Sequence, residues 1–125
     1  AANERVELLV TEDLAAEHLT SRGYRILARR YRTRMGEIDL VAVRGDLLVF
    51  VEVKARRSTR FGSPAEAVHP SKQARIARAA QQFLSEGLAP APSEPSCRFD
   101  VVSITWQIGH PALIEHIEDA FRPSL

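Results

Sequence analysis

Three charged residues on two neighbouring apolar segments have the types and spacing of a hydrolytic metal site. Asp39 lies in the segment 38–43, and Glu52 and Lys54 lie two residues apart at the end of the segment 47–54. Carboxylate oxygens are ligands that Mg²⁺ prefers, and a neighbouring lysine can orient or deprotonate a water molecule or stabilise charge on a phosphate. We therefore predict metal-assisted phosphodiester hydrolysis, with Asp39 and Glu52 as catalytic metal ligands and Lys54 as a catalytic lysine.

The turn between these two segments decides whether the charges meet. Both segments are rich in β-forming residues, and the sequence Arg-Gly-Asp between them is a hairpin signal. A two-residue turn at positions 45–46 pairs Asp39 with Glu52 and Glu37 with Lys54, which puts all four side chains on one face. A three-residue turn scatters them over both faces, but the Gly-Asp dipeptide favours the two-residue turn. Glu37 is interpreted as a supporting partner of Lys54, with a third acidic ligand as the alternative, although an ordinary cross-strand ion pair explains it equally well.

A carboxylate pair in this position needs a counter-charge. Directly opposed cross-strand residues have Cβ atoms about 4.5 to 5.5 Å apart, so Asp39 and Glu52 repel each other, and bound Mg²⁺ or Mn²⁺ offsets that repulsion. The sequence Val-Glu-Val-Lys alone is weak evidence, because alternating charge on an exposed strand face is common. The apolar neighbours Val41, Leu48 and Phe50 on the same face make a solvated stripe a poorer explanation.

The surrounding pattern predicts one α/β domain, residues 1–125, with the order αβββαββ. The segment Leu-Leu-Val-Phe-Val-Glu-Val is apolar on both faces, so helices must flank a mixed β-sheet on both sides. Gly23 and Gly87 mark helix ends, and Ser71 is the expected N-cap of the second helix. The expected helices are 7–22 and 71–86, the expected strands are 24–31 near a sheet edge, 38–43, 47–54, 98–106 and 112–117, and 87–96 is a proline-rich surface loop.

Composition narrows the class of protein. With 125 residues and 45% hydrophobic content, the chain suits one compact domain. Its single cysteine, Cys97, forms no internal disulfide, which favours a reducing compartment and argues against thiol catalysis. No segment approaches the roughly 18 apolar residues of a membrane span, and no leader pattern is visible, so we expect a cytoplasmic protein without a membrane partner.

Arginine is unevenly distributed along the chain. Residues 22–36 hold six arginines and no acid, and a second basic stretch runs over 54–78. Such segregation is typical of a surface that binds nucleic-acid phosphates, and the start of the second helix adds backbone amides for the same purpose. Solvated arginine-rich faces explain the pattern equally well. The candidate nucleic-acid-binding residues are Arg29, Arg30, Arg56, Lys72, Gln73 and Arg75.

Several motifs together resemble a known family. They are GYRILARRYRTRMGEIDLVA, LVFVEVKARR, FGSPAEAV, a helix that bears Lys72, RFDVV and HIEDAF, and they span nearly the whole chain. They resemble the YraN family of small bacterial proteins, which looks like a branch of the PD-(D/E)xK nuclease superfamily and is similar in its first half to archaeal Holliday-junction resolvases. The resemblance implies a restriction-endonuclease-like fold, with Ile38 in place of the proline that precedes the aspartate in the superfamily label.

The resemblance also implies roles for particular residues. Asp39 and Glu52 would bind the metal together with the backbone carbonyl of Val53, and Lys54 would be the catalytic lysine. Glu12 matches a glutamate that lies near the metal on the first helix of the resolvases, and it therefore joins the catalytic set.

These features predict a Mg²⁺- or Mn²⁺-dependent endonuclease that acts on DNA, with branched or structured DNA as candidate substrates. The alternative is a nucleic-acid-binding or partner-docking module on the same fold. Lys54 argues against that alternative, because binding alone does not need a lysine beside paired carboxylates. RNA processing and homodimer formation stay open. Asp100 is interpreted as structural, and the four histidines show no metal-ligand spacing.

Overall fold

The computed structural model of the chain describes residues 2–57, 68–87 and 92–123, with side chains from Val6 onward. Its elements follow the predicted order of one helix, three strands, a second helix and two strands. They are α1 (Ala2–Ser21), β1 (Arg25–Arg32), β2 (Glu37–Arg44), β3 (Leu47–Arg56), α2 (Pro70–Ser85), β4 (Ser96–Thr105) and β5 (Leu113–Ile117). Most of the FGSPAEAV motif and residues 88–91 of the expected surface loop lie outside the described residues.

The five strands form one mixed sheet in the order β1-β2-β3-β4-β5. Neighbouring strands are antiparallel except for β3 and β4, which run parallel and are connected through α2. A parallel connection needs a crossover of a dozen or more residues, which the segment that contains α2 supplies. In this strand order β3 is the central strand, and β1 lies at an edge, as predicted.

A helix covers each face of the sheet. Phe50 of β3 packs with Ile76 and Phe83 of α2 on one face. Its neighbour Val51 packs with Leu19 of α1 on the other face. The predicted α/β class, with a mixed sheet between helices, is confirmed. Within the described parts of the chain, neither helix combines the length and the apolar character that a bilayer crossing requires.

The helix ends follow the glycine pattern, but one cap differs from its prediction. Gly23 (φ 88°) follows α1, and Gly87 (φ 60°) follows α2. The prediction that Ser71 caps α2 is wrong, because the N-cap is His69, whose Nδ1 accepts a hydrogen bond from the Ser71 backbone N–H at 3.2 Å. Pro70 explains the difference, since its fixed φ suits the first helical position and the cap therefore lies at His69, two residues before Ser71.

Strands β2 and β3 meet in the register predicted for a two-residue turn. Paired positions run from that turn to Leu40–Val51, and Gly45 has a φ of 62° in the turn. This confirms the register on which the site prediction depends. The ladder ends at Leu40–Val51, one position before the expected pair of Asp39 with Glu52.

Candidate functional site

Asp39 lies where the alternation of β2 breaks. Ile38 and Val41 both pack in the core beneath α2 although they are three residues apart, so the side chains between them do not alternate regularly. The Asp39 carboxylate accepts a hydrogen bond from the backbone N–H of Val53 at 2.7 Å. Asp39 is thus held against β3 by its side chain instead of by the backbone ladder. The prediction that Asp39 pairs directly with Glu52 in the ladder is wrong, because the ladder ends at Leu40–Val51.

Glu52 is the point at which two lysines converge. Its side chain is only 4% exposed, and its Oε1 accepts a hydrogen bond from Lys72 Nζ at 2.6 Å. Lys54 Nζ lies 3.9 Å from the same oxygen. The sequence placed Lys72 on a phosphate-binding helix face, whereas the fold places its ammonium on the buried carboxylate. One feature of the sequence could have indicated a distant partner for Lys72. The first turn of α2 contains no acidic residue, so Lys72 has no partner within its own turn.

Glu12 of α1 faces the same region as Asp39. It is buried, and its Oε1 has no hydrogen-bond partner within the described part of the chain. The Nε of Arg30 is 3.5 Å from that oxygen. Glu12, Glu37 and Asp39 line one cavity of about 410 Å³. The fold therefore brings Glu12, which only the family resemblance had suggested, next to Asp39.

Glu37 does not take the partner expected for it. Its carboxylate pairs with Arg32 Nε at 3.3 Å, and the ladder that would have set it opposite Lys54 stops at Leu40–Val51. The irregular segment of β2 removes that pairing. Glu37 instead lines the cavity, where its charge contributes to raising the pKa of Glu12.

The charges at this site act against one another. Burial, and next the charge of Glu52, raise the pKa of Asp39 to about 7, although the Val53 N–H opposes that shift. Burial also raises the pKa of Glu12. Burial, and next the charge of Lys72, lower the pKa of Lys54. These shifts all disfavour the charged forms, which is common where a site is arranged to hold a ligand or to move protons.

The donor set suits a hard divalent cation that keeps several of its waters. Asp39 and Glu52 supply carboxylate oxygens from adjacent strands, and Mg²⁺ typically uses one or two carboxylates with waters and phosphate oxygens. Among the described residues, Glu12 has a buried oxygen without a hydrogen bond, in the cavity that Asp39 also lines. In residues 2–57, 68–87 and 92–123, no three His, Cys, Asp or Glu side chains lie close enough together to hold a metal ion. The carboxylates offered to a cation are therefore the pair Asp39 and Glu52, and its other ligands would be waters and phosphate oxygens.

Two of the arginines proposed to bind phosphates pair with acids of α1. Arg29 Nη1 lies 2.7 Å from Asp13 Oδ1, and Arg30 pairs with Glu12. Arg30 has a φ of 47°, which is unusual for a residue other than glycine. Arg56 is half-buried, and its charge contributes to lowering the pKa of Lys54.

The start of α2 is fixed against the turn between β1 and β2. A Cβ atom on Gly36 would lie 2.8 Å from the carbonyl oxygen of Arg75, so this close approach requires glycine. The Gln73 side chain donates to the Val68 carbonyl at 3.0 Å, while Arg75 is exposed. The same packing that brings α2 to β2 therefore positions Lys72 beside Glu52.

A second buried carboxylate lies outside this site. Asp100 of β4 accepts two hydrogen bonds of 2.8 Å from Arg98, one of 2.7 Å from His116 Nε2 and one of 2.9 Å from the backbone N–H of Asp119. Arg98 also donates to the Tyr24 hydroxyl at 2.8 Å. This is the structural role interpreted for Asp100. No feature of the sequence pattern indicates His116 as the partner of Asp100.

Comparisons with known proteins agree on one family. The model of an uncharacterised protein family, UPF0102, matches residues 11–104. A UPF0102 protein of Rhodococcus opacus (strain B4) is 50% identical over 110 residues, which cover 88% of this chain and 91% of that protein. One of Symbiobacterium thermophilum is 56% identical over 93 residues, covering 74% and 76% of the two chains. The matched span contains every residue of the candidate site.

Proposed function

This chain belongs to the uncharacterised protein family UPF0102, and we propose that it is a Mg²⁺- or Mn²⁺-dependent endonuclease that hydrolyses DNA phosphodiesters. The family assignment confirms the resemblance to YraN and carries no activity with it. The observation that supports the proposal is the convergence of Lys54 and Lys72 on the buried Glu52, beside Asp39. The restriction-endonuclease-like fold and the preference for branched or structured DNA are part of the same proposal.

In this proposal Asp39 and Glu52 hold the cation, with the Val53 carbonyl as a further oxygen donor, and Glu12 stands near the metal without binding it. When bound, the cation lowers the pKa of a water molecule and neutralises charge on the phosphate. Burial of Glu52 keeps solvent from its carboxylate and strengthens its interaction with that charge, whereas Asp39 is half-buried and lines the cavity. The N–H of Val53 orients Asp39, since it fixes one carboxylate oxygen at 2.7 Å.

Lys54 acts on the attacking water or on the phosphate in this proposal. Its Nζ lies 3.9 Å from Glu52 Oε1, which is an ion-pair distance beyond the range of a hydrogen bond. With respect to Glu52, the ammonium group therefore keeps its donors for a water molecule or a phosphate oxygen. Burial lowers its pKa, which makes proton transfer near neutral pH easier than for an exposed lysine.

A binding module without catalysis is the second candidate, and the edge strand β1 favours it. Arg25, Arg29, Arg30 and Arg32 are exposed along that strand, and Arg30 and Arg32 line the cavity next to Asp39. Nucleic-acid phosphates are commonly held by such arginines. The same arginines serve an endonuclease equally well, so only turnover separates the two candidates.

The first experiment compares substrates under defined metal conditions. Pure protein is incubated with four-way junction, flap, single-stranded and duplex DNA and with RNA, in Mg²⁺, Mn²⁺ or EDTA. We expect cleavage of DNA that requires metal and is lost in Glu52→Ala. Cleavage that persists in EDTA or in Glu52→Ala would identify a contaminant nuclease or another site, and preferential cleavage of RNA would replace DNA as the substrate.

The second experiment separates the enzyme from the binder. Lys54→Ala leaves both carboxylates and the arginines of β1 in place, so we expect the cleavage rate to fall about 10³-fold while DNA affinity stays within about threefold. Arg29→Ala combined with Arg30→Ala should weaken binding across sequences and flatten its salt dependence by about one unit per lost phosphate contact. If wild type cleaves nothing and binds DNA as tightly as Lys54→Ala, the binding module takes the place of the nuclease.

A further inference from the structure

Among the described residues, Glu52 has one direct counter-charge, and it comes from α2. A carboxylate that is only 4% exposed is costly to keep charged without a partner. Lys72 Nζ lies 2.6 Å from Glu52 Oε1, whereas Lys54 Nζ lies 3.9 Å from the same oxygen. The Lys72 side chain is 38% exposed, so solvent reaches it from outside the site. The buried acid therefore depends on a lysine that can leave without unfolding the core.

The position of Lys72 in α2 is unfavourable apart from this contact. It lies in the first turn, where the helix dipole disfavours a cation. The helix start cannot easily shift, because His69 caps it, Pro70 begins it and the Arg75 backbone packs against Gly36. The ion pair with Glu52 compensates for that placement. The fold thus holds a displaceable cation on the carboxylate that the proposed metal also needs.

We propose that Lys72 is the resident counter-ion of Glu52 and that a divalent cation must displace it to bind. This inference rests on the proposed metal-dependent function. Displacement makes Lys72 a competitor, so it lowers the affinity of the site for metal while it keeps the protein stable without metal. Lys54, on the same strand as Glu52 and equally charged, stands too far from the carboxylate to compete to the same extent.

Calorimetric titration of Mn²⁺ into metal-free protein tests this competition without any measurement of cleavage. Removing the competitor in Lys72→Met should tighten Mn²⁺ binding about tenfold, which corresponds to about 1.4 kcal/mol. Lys54→Met is the matched control, since it removes a lysine charge from the same neighbourhood, and its dissociation constant should stay within about threefold of wild type. Glu52→Gln should bind Mn²⁺ at least about tenfold more weakly than wild type.

The folded state of each variant is checked by its melting temperature in EDTA. Lys72→Met should melt at a lower temperature than Lys54→Met, because it leaves the buried Glu52 without its direct partner. If Lys72→Met does not fold, Lys72→Gln serves instead, since it keeps a donor for Glu52 and removes the charge. It should tighten Mn²⁺ binding by about sixfold, which exceeds the threefold range allowed for Lys54→Met.

The outcomes distinguish this inference from the function on which it rests. If wild type binds Mn²⁺ and Lys72→Met or Lys72→Gln binds it with equal or lower affinity, the displacement idea is overturned while the metal site stands. If wild type binds no Mn²⁺ at millimolar concentration, both the displacement and the metal-dependent nuclease are overturned. Tighter binding in the Lys72 variants but not in Lys54→Met supports the inference.

Discussion

Two buried carboxylate clusters in this chain differ in how completely their charges are satisfied. Asp100 is fully buried, yet Arg98, His116 and a backbone N–H all donate to it. Burial alone would raise its pKa, but the hydrogen bonds from His116 and Arg98 hold it below its ordinary value. At the other cluster, burial and the charge of Glu52 raise the pKa of Asp39 to about 7.

The contrast separates a carboxylate whose partners are complete from carboxylates whose charges are only partly compensated. Buried polar networks add rigidity when every member is paired, and they are costly when some members are not. Glu12 keeps an oxygen without a hydrogen bond, and Lys54 is displaced from direct contact with Glu52. Departures of this kind from good local packing are expected at functional sites. The difference between the clusters therefore supports the placement of chemistry at Asp39 and Glu52.

The largest expected effect is a loss of folding stability when Asp100 is replaced. Asp100→Asn leaves Arg98 without its carboxylate, and we expect the free energy of unfolding to fall by about 3 kcal/mol and Tm by about 10 °C. The same change at Asp39 removes a repelled charge and should leave the metal-free protein equally stable or more stable. Urea denaturation in EDTA measures both variants. Similar losses for Asp100→Asn and Asp39→Asn would contradict the distinction between the clusters.

How far the sequence predicted these two regions depends on the range of the contacts. The β2–β3 register followed from a local dipeptide and the apolar pattern, and it brought Asp39 and Glu52 to the same end of a hairpin. The contact of Lys72 with Glu52 depends on how α2 packs against β3, and no local pattern in the sequence encodes that packing. The pairing of Asp100 with His116 joins β4 to β5 across a turn, and alternation alone did not select that histidine.

The stability of the two clusters should depend on pH in opposite directions. The lowered pKa of Asp100 contributes stability above its unfolded value of 3.8, and that stability is lost as the pH falls through the lower folded pKa. The raised pKa of Asp39 contributes stability below 3.8, and that contribution is lost as the pH rises from 3.8 through about 7. We therefore expect the free energy of unfolding of Asp39→Asn to rise relative to that of wild type as the pH increases from 4 to 8. Urea denaturation in EDTA measures this difference.

The corresponding control is Asp100→Asn, measured in the same buffers. Its deficit relative to wild type should persist from pH 5 to pH 8 and shrink only below pH 3.8, where Asp100 of the wild type becomes protonated. A deficit that narrows on the alkaline side would mean that Asp100, and not Asp39, carries the unfavourable charge.

The smallest expected effect is the response of the melting temperature to metal. A cation that binds only the folded state adds about 1.4 kcal/mol at ten times its dissociation constant, which is about 5 °C for a domain of this size. Mg²⁺ or Mn²⁺ should therefore raise the Tm of wild type, and Asp39→Asn should lose most of that increase. Asp100→Asn should keep it, because the Asp100 oxygens already accept hydrogen bonds from Arg98 and His116. Equal metal shifts in wild type and Asp39→Asn would place the ion elsewhere, whereas a shift lost only in Asp100→Asn would transfer the metal site to the cluster that we regard as structural.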